Sequence, residues 1–289
     1  MKDIFINASD GTVLHARFLR RSSPGPVFVL IHGYGDGGYV WDSSCDALSD
    51  LCSTLTLDLR GHGDSGRSEP TRYHVDTHVA DIVRVIRTLD LRRVALIGHS
   101  LGGLIAAALV ETLKFTAVEG VVLVDVCPNP STDARAAVAY YLRRSLRRYE
   151  SVDEYSEWLM QCRPLLSAEQ ARRLAAGALR RCDGGFELKV DPALAEKNSS
   201  EAELEIEGRW MRDSLRSIHC PALVVRGTGS AFVSEEAARQ MTGVLPNAKS
   251  VSVPNAGHSV MSDNPVFFNT LVRDLARRLI RAAVASVQI

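Results

Sequence analysis

The sequence has little that would tie the protein to a membrane, a metal or a nucleic acid. It contains no apolar run long enough to span a bilayer. Its 34 basic and 34 acidic side chains leave no formal net charge, so no general attraction to nucleic acid is expected. The 6 cysteines are scattered, without a C-x-x-C motif or a Cys/His spacing typical of metal sites. We therefore expect no metal, no organic cofactor, no membrane contact and no nucleic-acid partner.

A secretory signal is also missing from the printed sequence, because Met1-Lys2-Asp3 leads directly into the strand-like run Ile4-Phe5-Ile6. Together with the scattered cysteines, this predicts a reduced, cytoplasmic location. The 289 residues are 46% hydrophobic and 24% charged, without repeats or low-complexity tracts, which indicates a globular protein of enzyme size. We expect it to be a monomer or a homodimer.

Short apolar runs alternate with segments of helical period near both ends of the chain, a pattern typical of a mostly parallel sheet with helices on both faces. The predicted strands are Ile4–Asn7, Thr12–Leu19, Val27–Ile31, Thr54–Leu57, Val94–Ile97, Val121–Val124, Ala222–Val225 and Lys249–Val253. The predicted helices are Trp41–Leu51, Val75–Leu89, Leu101–Leu113, Ser234–Val244 and Pro265–Val287. The fold class is therefore α/β, with an eight-stranded sheet.

The alternation stops after Asp125. Residues 128–215, called the inserted segment below, show several helical periods rich in Arg, Ala and Leu but no clear strand. This divides the sheet-forming core into residues 1–127 and 216–289. Ligands of such sheets bind at the carboxyl ends of the strands. The inserted segment is therefore expected to lie over that edge as a helical cap.

A serine lies where the fifth predicted strand meets the next helix, in Gly98-His99-Ser100-Leu101-Gly102-Gly103. A serine on this sharp turn is pushed out of the sheet, and small flanking residues let the strand and helix backbones approach. The helix start directs free amide groups and the positive end of its dipole at the same point. This pattern predicts a nucleophile elbow with Ser100 as the nucleophile.

With this elbow, the chain resembles the α/β-hydrolase family from end to end. The resemblance includes three further motifs: His32-Gly33-Tyr34-Gly35-Asp36-Gly37 after the third strand, Asp58 to Gly66 after the fourth, and Asn255-Ala256-Gly257-His258 after the last. It implies a cofactor-free serine hydrolase, similar to small bacterial esterases with a helical cap. The fold hosts many chemistries, so the resemblance says much less about the substrate.

Ser100 needs a base to remove its proton, and His258 is the strongest candidate. It is the last histidine of the chain and follows the last predicted strand on a glycine-containing loop. The two oxyanion donors are expected to be the backbone amides of Tyr34 and Leu101. Side-chain identity at these two positions carries no information, because only the backbone is required.

The acid partner of His258 is not where the family usually has it. The segment after the seventh strand, Arg226 to Val233, contains no Asp or Glu. Asp125, at the end of the strand after the elbow helix, is the expected substitute, as in some family members. The resemblance to small esterases further pairs this aspartate with Ser230 in a Ser-Asp-Ser-His tetrad. Glu235, Asp183 or a site without an effective acid remain the alternatives.

Substrate contacts are assigned to His32, His99 and Trp210, each with simple packing as the alternative. Arginines cluster in the inserted segment, beginning with Arg143-Arg144 and Arg147-Arg148. They either attract an acidic substrate or form a solvated helix face.

These patterns predict hydrolysis of a carboxylic ester-type bond of a small molecule through an acyl-enzyme. The first alternative is a carbon–carbon bond, lactone or thioester hydrolase that uses the same residues. The second is a non-hydrolytic protein on this fold, either a receptor or a cofactor-independent oxygenase or cyclase. Intact Ser100 and His258 argue against a receptor.

Overall fold

An eight-stranded sheet organises the computed structural model, which describes residues 1–69, 72–196 and 201–287. Its strands are β1 (Lys2–Asn7), β2 (Val13–Leu19), β3 (Val27–Ile31), β4 (Thr54–Leu57), β5 (Arg93–His99), β6 (Ala117–Val124), β9 (Ala222–Gly227) and β10 (Ala248–Val253). The spatial order is β1-β2-β4-β3-β5-β6-β9-β10. Strand β2 pairs antiparallel with β1 and β4, whereas the other pairs are parallel. All eight predicted strands are present, and the fold class is confirmed.

The helices that follow these strands match the predicted ones. They are α1 (Asp42–Leu48), α2 (Val75–Thr88), α3 (Leu101–Thr112), α9 (Glu235–Val244) and α11 (Pro265–Val287), with a short 3-10 helix at Gly38–Trp41 and a four-residue helix α10 (Val260–Asp263). No helix of the described residues is long and apolar enough to cross a membrane.

Period-two alternation of the central strands produces a core on each face of the sheet. In β3, Val29 and Ile31 face a cluster that includes side chains of α2, α3 and α9. Phe28 and Leu30 face the opposite cluster, which includes side chains of α1 and α11. Both faces of the strand are therefore buried, which explains why it is a continuous apolar run.

The inserted segment forms α4 (Thr132–Ser145), α5 (Val152–Cys162), α6 (Ala168–Ala178), α7 (Pro192–Glu196) and most of α8 (Glu201–Arg216). Three of these helices begin at a serine whose side chain accepts a hydrogen bond from an amide three residues later, the usual N-cap geometry. These serines are Ser131, Ser151 and Ser167.

One element of the inserted segment was not predicted. Strands β7 (Leu179–Cys182) and β8 (Gly185–Leu188) form an antiparallel hairpin. Its turn is Asp183-Gly184, a dipeptide that favours two-residue hairpin loops, so the sequence did contain the signal. The last helix of the inserted segment, α8, packs directly on the core of the main sheet, since Met211 and Leu215 belong to the same core cluster as side chains of α3.

Candidate active site

Ser100 lies on a strained turn between β5 and α3. Its φ of 51° and ψ of −119° are outside the usual regions for a residue with a side chain. The turn is held by a 3.0 Å hydrogen bond from the Ser100 amide to the Val124 carbonyl. A Cβ added at Gly98 would lie 2.0 Å from the Gly102 carbonyl oxygen, and one added at Gly102 would lie 2.3 Å from the Ile31 carbonyl oxygen. Only glycine therefore permits this close approach of strand and helix.

The predicted oxyanion donors lie on two adjacent segments. Leu101 is the first residue of α3, so its amide has no partner within the helix. Tyr34 lies on the loop after β3, and buried histidines hold this loop. His32 Nε2 accepts from the Leu59 amide at 2.9 Å, and His62 Nε2 accepts from the Gly35 amide at 3.1 Å.

Asp125 follows β6 and is completely buried, with a φ of 47°. Its Oδ2 accepts from His258 Nδ1 at 2.8 Å and from the Ser230 hydroxyl at 2.6 Å. Its Oδ1 accepts from the Gly227 amide at 3.2 Å. Three donors from two segments, the end of β9 with its following loop and the loop after β10, therefore converge on one carboxylate, which fixes its position and compensates for its lost hydration.

His258 lies on the loop between β10 and α10. Its ring stacks on Phe232, with 3.9 Å between ring centroids and 19° between planes. Its carbonyl accepts from His99 Nε2 at 2.9 Å. Since Asp125 occupies Nδ1, the nitrogen left to take a proton is Nε2.

Burial sets the charge state of this pair. Loss of hydration lowers the pKa of His258 below its ordinary 6.5, and the nearby positive charge of Arg163 adds to the effect. Burial also raises the pKa of Asp125, although the hydrogen bond from Ser230 opposes this change. Near neutral pH the histidine is neutral, as a general base must be.

A cavity of about 440 Å³ opens beside Ser100, Leu101 and Asp125. About half of its other described wall residues belong to α4 and α8. The wall is largely apolar and includes Leu104, Val126, Val138, Ala139, Leu204 and Met211. Arg135 and Arg143 of α4 and Glu207 of α8 add charge to the wall, and Arg135 lies 3.9 Å from Glu207. The inserted segment thus forms much of the wall above the serine.

A family model for the alpha/beta hydrolase fold matches residues 26–265. The chain belongs to the α/β-hydrolase fold family. It is similar to the 2-(acetamidomethylene)succinate hydrolase of Mesorhizobium japonicum, with 30% identity over 254 residues, 86% of each chain. It is also similar to the 3-hydroxybutyrate-oligomer hydrolase of Cupriavidus necator, with 31% identity over 243 residues, 81% of this chain and 82% of that one.

A solved structure supports the same relationship. An E-2-(acetamidomethylene)succinate hydrolase matches with a TM-score of 0.79 and 26% identity, over 94% of this chain and 98% of that one. These relatives are hydrolases, and hydrolysis is the general activity that membership of this family supports.

The structure brings some of the predicted site residues together and separates others. Asp125, Ser230 and His258 are in direct contact. In the described part of the chain, Ser100 Oγ and His258 form no hydrogen bond. Catalytic hydrogen bonds of this kind are often long without substrate and shorten when substrate binds. The alternative acids lie elsewhere, since Glu235 begins α9 and Asp183 lies in the hairpin turn.

The three predicted substrate contacts, His32, His99 and Trp210, do not line the described cavity. His32 is completely buried, and its two nitrogens bond to the Gly33 carbonyl and the Leu59 amide. His99 is 2% exposed and bonds to the backbone of His258. Trp210 packs against the core. None of the three belongs to the described cavity wall, because histidines at strand ends and a tryptophan on α8 point into the core.

Sequence analysis missed two groups that hold His258. Phe232 stacks on the imidazole, and Asp263 accepts a 2.9 Å hydrogen bond from the Gly257 amide. Phe232 follows Ser230 by two residues, and this closeness to a predicted site residue was the sequence feature that could have indicated a place near His258. Nothing in the local pattern distinguishes Asp263 from an ordinary helix residue.

Proposed function

We propose that the protein is a serine hydrolase that cleaves a carboxylic ester-type bond of a small molecule through an acyl-enzyme. The observation that carries this proposal is the convergence of His258 and Ser230 on the buried carboxylate of Asp125, next to a strained serine at a helix start. A buried aspartate on Nδ1 fixes the tautomer of a base and stabilises its charged form.

In this mechanism, His258 Nε2 takes the proton of Ser100 while Oγ attacks the ester carbonyl. The Tyr34 and Leu101 amides bind the oxyanion, and Asp125 stabilises the imidazolium. The protonated histidine then gives its proton to the leaving alcohol, which leaves an acyl-enzyme. Water, deprotonated by the same histidine, attacks the acyl carbon of this ester. The histidine then returns that proton to Ser100 Oγ as the bond to the acyl group breaks, which releases the acid and the free serine.

The cavity supports a compact, mostly apolar substrate. A volume of about 440 Å³ lies within the range of small-molecule sites, and its apolar walls favour an alkyl or aryl group beside the ester. About half of the wall residues belong to α4 and α8, so we infer that the inserted segment acts as a cap and sets substrate preference.

Labelling with a fluorophosphonate, followed by intact-mass spectrometry, tests the proposal. The wild type is expected to gain one phosphonyl group. Ser100→Ala and His258→Ala should gain none, and Asp125→Asn should react more slowly. An activated ester should also give a burst of alcohol release equal to the enzyme concentration. Absence of labelling in a folded wild type would overturn the proposal, as would full ester turnover by Ser100→Ala.

A further inference from the structure

An ion pair joins the inserted segment to the core next to the catalytic loop. Arg163 directly follows α5, and its Nη2 lies 3.3 Å from Oδ1 of Asp263 in α10. The two side chains are only 17% and 6% exposed. Screening by water is therefore weak, so the Coulomb attraction between these two charges is stronger than in an exposed pair at the same distance.

The same aspartate holds the loop of His258. Its second oxygen, Oδ2, accepts from the Gly257 amide at 2.9 Å, one residue before the histidine. Leu165 of the inserted segment also reaches this point, because a Cβ added at Gly257 would lie 3.9 Å from Leu165 Cδ1. A continuous path thus runs from Arg163 through Asp263 and the Gly257 backbone to His258.

We propose that Arg163 is a positioning residue of the serine hydrolase mechanism inferred above: it couples the inserted segment to His258 through Asp263 and the Gly257 backbone. Arg163 does not belong to the described cavity wall, so this role is separate from substrate contact. A shift of the inserted segment that moves Arg163 then changes both the orientation and the charge surroundings of the base.

The charged and titratable groups around His258 come from several elements. Asp125 at the end of β6 bonds to Nδ1, and His99 of β5 lies 4.6 Å away between ring centroids. Asp36, on the loop after β3, lies 3.9 Å from His99 Nδ1. Arg163 and Asp263 act in opposite directions, since the cation lowers the pKa of His258 and the carboxylate raises it. Tyr141 and Asp36 in turn act on Arg163.

Because Arg163 and Asp263 shift the pKa of His258 in opposite directions, variants of the two residues should move it in opposite directions, which a general loss of protein stability would not do. We would measure the acid limb of kcat/KM on an activated ester, together with the pKa of His258 from NMR titration of ring-labelled protein. Arg163→Gln should move the acid limb and the His258 pKa to higher pH. It should also lower kcat roughly 10- to 100-fold with little change in KM. Asp263→Asn keeps the shape of the side chain and should move both to lower pH. Arg163→Lys should keep the wild-type limb.

Arg172→Gln is the matched control, because it removes another arginine–aspartate pair of the inserted segment, the exposed pair with Asp153. It should leave kcat and the acid limb unchanged. An unmoved His258 pKa in folded Arg163→Gln would overturn the inference, and so would an equal shift in Arg172→Gln. If Arg163→Gln does not fold, the Asp263→Asn variant decides: a His258 pKa that rises or does not change in that variant would overturn the inference. A wild type without labelling or turnover contradicts the proposed function instead, while the NMR titration still tests the coupling.

Discussion

At the scale of single residues, Ser230 gives the site its distinctive acid arrangement. Its hydroxyl donates to Asp125 and accepts from the amides of Phe232 and Val233 at 3.0 and 3.1 Å. The amides orient the hydroxyl so that its one proton points to the carboxylate. A serine on the loop after β9 thus supports an aspartate at the end of the neighbouring strand, β6. Family members more often have the acid itself on the loop that carries this serine.

Ser230→Ala should lower kcat/KM on an activated ester about 10- to 100-fold. A hydrogen bond to a charged group contributes about 1.5–3 kcal/mol, and its loss leaves Asp125 less well held. The pKa of Asp125 should also rise, because the hydrogen bond that lowers it is gone. Ser234→Ala, which removes the N-cap of α9 instead, should cost stability but leave kcat/KM unchanged. Unchanged kinetics in Ser230→Ala would contradict this role.

The depressed pKa of His258 predicts how labelling depends on pH. The base must be neutral to act, so the fluorophosphonate rate should fall only below the ordinary histidine value of 6.5. Second-order labelling rates between about pH 4 and pH 9 would locate the midpoint. A midpoint at or above 6.5 would mean that burial and Arg163 do not control the charge of this histidine.

At the scale of elements, the turn between β5 and α3 depends on the absence of side chains. The close contact at Gly102 is with backbone, which cannot move aside as a flexible side chain would. The same element carries the proposed nucleophile, Ser100, and one proposed oxyanion amide, that of Leu101, so a change in its geometry is expected to alter stability and labelling together.

Gly102→Ala should therefore destabilise the protein by several kcal/mol and abolish labelling of Ser100. A Cβ at 2.3 Å from the Ile31 carbonyl forces α3 away from β3. Gly243→Ala in α9 is the matched control, because a Cβ there meets nothing within 4 Å. It should stabilise the protein by about 0.5–1 kcal/mol. Chemical denaturation of both variants measures the difference, and equal stabilities would contradict the steric argument.

At the scale of the whole molecule, buried charge networks connect distant parts of the chain. His15 of β2 is 5% exposed, and its nitrogens lie 2.7 Å from Asp58 and 3.0 Å from Asp3. Burial lowers the pKa of His15, but the hydrogen bonds to the two carboxylates outweigh burial and raise it above 6.5. The protonated histidine therefore stabilises the sheet edge below pH 6.5, and this contribution is lost as the pH rises through the folded-state pKa.

His15→Gln should therefore cost more stability in mildly acidic than in basic solution. The free energy of unfolding, measured with guanidinium at about pH 5.5 and about pH 9, gives the difference between wild type and variant at each pH. Groups that titrate alike in both proteins cancel in this comparison. A difference that is the same at both pH values, or larger at the basic one, would contradict the assignment.

The eight strands of the main sheet, most of the helices and the sharp turn at Ser100 were predictable from local sequence patterns. Local rules suffice for these features, because burial on both faces produces apolar runs such as Val27–Ile31 and close backbone contact requires glycine at positions 98 and 102. The placement of Ser100 and His258 was predictable for the same reason, since each follows a strand that ends at one edge of the sheet.

The groups that surround Ser100 and His258 became apparent only in the folded chain. His32 and His99 are next to motif residues in sequence, yet both are buried and bond to backbone groups of neighbouring loops. Phe232 stacks on His258, and Arg163 pairs with Asp263, which accepts from the Gly257 amide, although no local pattern indicates these contacts. Such contacts arise between elements that the fold brings together. Their hydrogen bonds and charges depend on distance and burial, which no local period or motif records.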